Sequence, residues 1–382
     1  MTDFKNTPEL SESTEPAISY STCYEPSFHL FPYKWTLKDA TFTKDKGKVF
    51  SCFACGGGST MGYKLAGFDV IGHNDIDKKM IEVYKLNHNP KYSFLESITT
   101  FAKRKDLPKE LYELDILDGS PPCSSFSMAG NREKDWGKEK IFREGQELQV
   151  LDTLFFDFID LAKELQPKVV VAENVKGLLM GDAKQYVIKI YKEFDKAGYY
   201  CQHFLLDASK MGVPQRRERV FFIALRKDLA KPFLHYVDMF TEVPKLKLEF
   251  DEKDIFFGDL KTIDNDNKLT DYDLDVWNRK ILGDNDYCDT LKRTENRDSN
   301  WNSKYIYDEK VCNTVASSSG SKLVCFSEPR KLNNNELKMI GSFPLDYDFI
   351  TNDVKYLIGM SVPPVMTAQI STQIYSQWLS KL

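Results

Sequence analysis

The run Val169-Val170-Val171-Ala172-Glu173 constrains this chain most. Four apolar residues follow one another without polar alternation and end on an acid. Such runs belong to sheets covered on both faces, because alternation is needed only where one face meets water. The flanking sequence supplies the cover. Val49 to Phe53 is strand-like, Met61 to Ala66 suits a helix that Gly67 ends, and Phe68 to Asp75 is a second strand. Lys78 to Asn87 is helical, Leu114 to Asp118 a strand, and Leu151 to Leu165 a long amphipathic helix. Tyr186 to Ala197 is helical, and Tyr199 to Asp207 and Arg219 to Leu225 are strands. Strands alternating with helices predict an α/β fold built on a doubly wound sheet.

That rhythm stops near Lys227. Residues 228–329 are rich in Asp, Asn and Lys, with short strands such as Lys304 to Tyr307, and read as a second, smaller and irregular domain. Helical pattern returns at Asn335 to Ile340 and from Pro364 to Leu379. A chain of 382 residues is too long for one ordinary core. The expected division is an N-terminal extension (1–45), a sheet domain (46–227), the irregular domain (228–329) and a C-terminal segment (330–382) that returns to the sheet. The first twenty or so residues read as a disordered tail, and the aromatics from Tyr24 to Trp35 suggest docking. No apolar run approaches the ~20 residues that span a bilayer, so a membrane partner is not expected. No secretory signal is expected either, and the eight scattered cysteines should be reduced thiols. Cys52 and Cys55 form a lone C-x-x-C pair without a second pair at zinc spacing, so no metal is expected. A net charge of −5 argues against an overall basic coat but leaves a local basic face open.

Five segments bear chemistry. Asp118-Gly119-Ser120-Pro121-Pro122-Cys123 carries a strand into a turn that holds a thiol at its exposed end, where such sheets keep their ligands. Cys123 reads as a nucleophile or as a small buried hydrophobe. Phe53-Ala54-Cys55-Gly56-Gly57-Gly58 is a glycine-rich turn. Met61 stands where a dinucleotide fingerprint needs its third Gly, so the turn is either a cofactor cradle without a pyrophosphate clamp or simply tight. Asn74-Asp75-Ile76-Asp77 leaves the second strand with an acid for ribose hydroxyls, or with a helix N-cap at Asp75 or Asp77. Glu173, at the end of the buried run, can hold a proton and share it with a substrate nitrogen, or cap a helix. In Gln215-Arg216-Arg217-Glu218-Arg219, alternation puts Arg217 and Arg219 on one face, suited to phosphates and carbonyl oxygens or to solvent.

A thiol, an acid, paired arginines and an adenosine pocket at one sheet edge meet the needs of one reaction. A thiolate adding to C6 of cytosine breaks aromaticity and makes C5 enamine-like. An acid at N3 absorbs the developing charge, C5 accepts a methyl group from a sulfonium donor, a base removes the C5 proton, and the thiol leaves by β-elimination.

From about Lys48 onward the chain resembles the DNA (cytosine-5-)methyltransferases. Pro122-Cys123, Glu173-Asn174-Val175 and Gln215 to Arg219 match that family's PC, ENV and QxRxR motifs in order. Arg330-Lys331-Leu332, Glu336, Gly341-Ser342-Phe343-Pro344 and Ile358 to Pro364 resemble its closing motifs. The resemblance implies a class I, Rossmann-like S-adenosylmethionine-dependent sheet with a target-recognition domain at 228–329. It implies Cys123 as nucleophile, Glu173 on N3 and the exocyclic amine, Arg219 on the cytosine O2, and Arg217 on phosphate or behind the catalytic loop. It puts Phe53 near the adenine, Asp75 on the ribose and Ile76 along the adenine. Gly56, Gly57, Gly58, Ile98 and Pro122 complete the pocket, with Ser97 standing in for a common acid. Thr314 would touch a backbone phosphate beside the flipped base, Gln215 would face the DNA, and Arg132 would close over the backbone. The base must swing out of the stack to react.

The expected partner is double-stranded DNA, bound by a cytoplasmic, nucleoid-associated monomer, with a cognate restriction endonuclease acting separately. Ser51, Cys55, Ser124 and Met360 depart from the family pattern without removing a catalytic group. The alternatives are a tRNA cytosine methyltransferase on the same scaffold and a catalytically silent DNA- or cofactor-binding homologue. A nicotinamide oxidoreductase is disfavoured by Met61.

Overall fold

The computed structural model describes residues 29–122, 139–140, 149–150, 153–181, 183–236, 242–263, 267–298, 303–317, 322–350 and 353–382. The expected N-terminal disorder lies outside these residues. Seven strands form the central sheet: β1 (Lys48–Cys52), β2 (Asp69–Asp75), β3 (Tyr92–Leu95), β4 (Ile116–Gly119), β5 (Val169–Val175), β6 (Tyr199–Asp207) and β7 (Glu218–Arg226), in the order β3-β2-β1-β4-β5-β7-β6. All pair in parallel except β7, which runs antiparallel to both neighbours, with Tyr199 opposite Arg226 and Val169 opposite Leu225.

The buried run behaves as its composition requires. Val170 and Ala172 face a layer built by Phe155, Phe158, Ile190 and Phe194, while Val169 and Val171 face Tyr63, Phe68, Val365 and Trp378. The first layer comes from α3 (Leu154–Leu165) and α4 (Ala183–Lys196), and the second from α1 (Gly58–Leu65) and α9 (Pro364–Gln377). Helix α2 (Lys78–His88) lies between β2 and β3 in sequence. Each large apolar side chain so buried contributes about 1.5–3 kcal/mol. The C-terminal helix α9 therefore packs on the sheet beside α1. A Cβ at Gly62 of α1 would lie 2.3 Å from the Pro364 carbonyl, so the two helices meet backbone to backbone.

Three features differ from the sequence reading. The edge strand β3 was not expected; it has four residues, none fully buried, and so gives no alternation signal. Helix α1 starts earlier than Met61, with Gly57 as its N-cap. Residues 228–329 carry helices as well as short strands: α5 (Asp271–Asn278) and α6 (Tyr287–Glu295), started by Thr270 and Asp286 accepting from Asp273 and Asp289 backbone N–H groups. Beyond them lie α7 (Asn334–Ile340) and α8 (Val354–Met360). Trp35 is buried and donates to the Ser342 carbonyl at 3.1 Å, so part of the aromatic N-terminal segment docks. Among the described residues no helix is long and apolar enough to cross a membrane.

Candidate active site

The parallel strands β1, β2, β4 and β5 end together, and the residues after them build the site. After β1, Phe53, Cys55 and Gly57 all take positive φ (51°, 48° and 89°), so the chain coils tightly, and the Gly57 N–H donates to the Ala54 carbonyl at 2.8 Å. At Gly57 a side chain is excluded twice, by φ and by His88, whose Nε2 would lie 2.1 Å from a Cβ. A Cβ at Gly56 would meet the Leu357 side chain at 2.5 Å, and one at Gly58 the Val362 carbonyl at 2.5 Å. The turn is thus wedged against the closing motif. Tyr347 braces it from behind, donating to the Gly56 carbonyl while it contacts His88 Nε2 at 2.8 Å. Burial holds His88 neutral, well below the usual imidazole range.

After β2, the Asp75 carboxylate accepts from the Cys55 N–H at 2.7 Å and the Asp77 N–H at 2.8 Å, tying the two strand ends together. Desolvation pushes its pKa up to about 6 against the pull of those N–H groups. Asp77, not Asp75, caps α2, accepting from Lys79 and Met80. Ile76 and Phe53 are half-buried at the rim, the Phe53 ring 6.3 Å from that of Phe158. Ile98 is 2% exposed inside the core, and the Ser97 hydroxyl accepts from the Thr100 N–H as a cap.

On β4, Asp118 lies opposite Ser51 of β1. It is buried, with Ser51 Oγ at 2.7 Å, Ser59 Oγ at 2.8 Å and Tyr63 Oη at 3.2 Å all donating to its carboxylate. Desolvation pushes it up to about 6 as well. The sequence placed Asp118 in the strand but gave it no role; the signal was present as an acid in an otherwise apolar strand, with Ser51 where an acid is usual.

The chain leaves β4 through Pro121 and half-buried Pro122, and Asn174 of β5 donates to the Pro121 carbonyl at 3.2 Å. Cys123 and Arg132 follow and lie outside the described residues. Beside Asn174, Glu173 pairs with Arg219 of β7, Oε1 to Nε at 2.9 Å, both largely buried. Acid and guanidinium therefore meet at the strand end that also anchors the Pro-Pro turn.

Gln215 does not face outward as expected, and Arg217, expected on phosphate or behind the catalytic loop, is also turned inward. Gln215 is 1% exposed; its amide donates to the Ile340 carbonyl at 3.3 Å and accepts from the Val315 N–H at 3.1 Å. Arg217, 2% exposed, donates to the carbonyls of Val315 (3.2 Å), Gly359 (2.8 Å) and Ser361 (2.9 Å). Both residues clasp the closing segments to the sheet. Thr314 is half-buried and donates to the Arg216 carbonyl at 2.5 Å. Among the described residues no group of three or more His, Cys, Asp or Glu could hold a metal ion.

Residues 47–376 match a family model described as C-5 cytosine-specific DNA methylase. Over 183 residues the chain is 38% identical to the type II methyltransferase M.FnuDI of Fusobacterium nucleatum, a match covering 48% of each chain. A 37% match to M.NgoPII of Neisseria gonorrhoeae is similar in extent, so the chain spans about half the length of these curated relatives. M.NgoFVII of Neisseria gonorrhoeae is 26% identical over 359 residues, 87% of each chain. In fold the chain is similar to a mutant of Spodoptera frugiperda DNMT2, with a TM-score of 0.57, 20% identity, and cover of 86% of this chain and 99% of that one.

Proposed function

Because this chain belongs to the C-5 cytosine-specific DNA methylase family, we propose that it is a sequence-specific DNA cytosine-5 methyltransferase, the modification enzyme of a restriction-modification system. Residues 46–227 with 330–382 form the catalytic unit, 228–329 the target-recognition domain, and 1–45 an extension. The observation that carries the reading is the Glu173–Arg219 pair at 2.9 Å, on the strand anchored by Asn174 to the turn that leads to Cys123.

The residues at the ends of β1 and β2 fit S-adenosylmethionine. The Gly56–Gly58 turn has backbone where a Cβ would collide, Asp75 offers a carboxylate to ribose hydroxyls, and Phe53 and Ile76 offer apolar rim for an adenine. When bound there, this cofactor supplies an electrophilic methyl group. The chain's own residues prepare the acceptor. The target cytosine swings out of the duplex into the cleft. The Cys123 thiolate bonds to C6, Arg219 holds O2, and Glu173 holds a proton toward N3, so that negative charge formed in the ring is absorbed where it develops. C5, now enamine-like, would take the methyl group as its bond to the donor's sulfonium sulfur breaks, leaving a neutral thioether. Loss of the C5 proton to a base and of the thiolate from C6 restores the aromatic ring.

Transfer of labelled methyl groups to duplex DNA tests the reading, with tRNA offered in competition. Transfer to duplex, abolished in Cys123→Ala, is expected. Transfer to tRNA alone would replace DNA by RNA as the substrate, and undiminished transfer by the variant would remove the assigned nucleophile.

A further inference from the structure

Just before Arg217, which is turned inward, and Glu218, which pairs with Lys176, the chain entering β7 carries one more cation with a different environment. Arg216 is exposed, and its guanidinium has no hydrogen-bond or ion-pair partner among the described residues. Its backbone, however, is fixed at both ends: the N–H donates to the Cys312 carbonyl at 2.9 Å and the carbonyl accepts from Thr314 Oγ1 at 2.5 Å. A free head on a pinned backbone is a preorganised donor.

Arg216 borders a cleft of about 150 Å³ whose polar lining includes Asn285, Tyr305, Tyr307, Lys310 and Asn313. None of the lining residues is acidic. Lys310 is exposed, lies 4.2 Å from the Tyr307 ring centroid, and has no carboxylate partner among the described residues. Asp308, the nearest acid in sequence apart from Glu309, is engaged by Lys261 at 2.9 Å. The cleft therefore presents the Arg216 and Lys310 cations with the Asn313 amide, while the Asn285 amide is held by Asp289 at 3.1 Å. Three extended residues separate Arg216 from Arg219, about 10 Å of chain.

From this arrangement we infer that the Arg216–Lys310 cleft binds a backbone phosphate of the DNA strand that carries the target cytosine; this rests on the DNA reading above. Phosphate oxygens only accept hydrogen bonds, so they need donors. The single proton of the Thr314 hydroxyl is already given to the Arg216 carbonyl, so Thr314 is not the donor. Arg216 offers its fork and Lys310 its ammonium. The contact fixes register and carries no sequence information.

The test is binding of a mixed-sequence DNA duplex to the full chain across a salt series, for the wild type, Arg216→Gln, Lys310→Gln and the double variant. Each single change is expected to weaken duplex binding about tenfold at low salt and to flatten the slope of log affinity against log salt by about one. The double variant should flatten it by about one as well, because the two cations share one phosphate; a change of about two would assign them to separate phosphates and overturn the shared site. S-adenosylmethionine affinity should not change, which reports an intact fold. A wild type that binds duplex while all three variants keep its slope would overturn the cleft assignment and leave the methyltransferase reading standing. Slopes that change for tRNA but not for duplex would overturn it in favour of RNA. Failure of the wild type to bind duplex or methylate it would contradict the underlying reading too.

Discussion

Carboxylates on the two sides of the β4 strand end are held by opposite means. On the cofactor side, Asp75 and Asp118 take neutral donors, backbone N–H groups for one and three hydroxyls for the other, with no ion pair among the described residues. On the base side, Glu173 takes the Arg219 guanidinium. Neutral donors fix shape: Asp75 ties β2 to the glycine turn, and Asp118 ties β1 and β4 to the first turns of α1. A guanidinium places charge. Under the proposed mechanism one side keeps form and the other does reaction chemistry, although both sides are built from acids at strand ends.

Glu173→Gln should separate the two sides most clearly. It is expected to lower single-turnover methyl transfer about 10²–10³-fold while leaving donor affinity, measured by calorimetry, within about twofold. A matching loss of donor affinity would erase the distinction. Next comes the contrast between the two arginines two residues apart. Arg217→Ala leaves three buried carbonyls without their donor and should cost about 3–5 kcal/mol in urea unfolding. Arg219→Ala leaves the largely buried Glu173 unpaired and should cost less, about 2–3 kcal/mol, and act chiefly on rate.

Asp118→Asn probes the cofactor side through pH. Its folded pKa of about 6 lies above the usual 3.8, so the folded chain binds the proton more readily than the unfolded one between those values. This group therefore lowers stability as pH rises through about 4 to 6, and its full cost stands above that window. Relative to the wild type, the variant should gain about 2 kcal/mol between about pH 4.5 and pH 7. A constant difference across that range would mean that the carboxyl does not take up a proton there. The smallest effect belongs to Lys176→Ala. Its pair with Glu218, near the site but with both side chains more than 40% exposed, should contribute under about 1 kcal/mol to stability.

The sheet was legible because its signal is local. Val169–Ala172 declares two covered faces within four residues, and the glycine turn and the Pro-Pro turn announce themselves at the strand ends. Glu173 and Arg219 could be singled out the same way, and they do meet. Gln215 and Arg217 could not be placed correctly, because charge and alternation suggest exposure. The partners that bury them, Val315, Ile340, Gly359 and Ser361, lie about a hundred or more residues downstream. Ile98 is buried in the core, which the sequence around the short capped turn did not reveal. Helices α5 and α6 were hidden by composition. They are held by caps and by pairs such as Lys322–Asp273 at 2.7 Å and Arg279–Glu295 at 2.7 Å, and their buried faces are short and partly polar, as with Tyr287, Thr290 and Leu291.

The central claim is that one thiol bonds transiently to the flipped pyrimidine beside Glu173 and Arg219. Incubating the full chain and S-adenosylmethionine with duplex DNA bearing 5-fluorocytosine at the target position blocks the final elimination and preserves the bond. Digestion and mass spectrometry should then yield a DNA-linked peptide containing Cys123, absent from Cys123→Ala. A link to any other residue, or no link from a chain that still methylates ordinary duplex, would contradict the account.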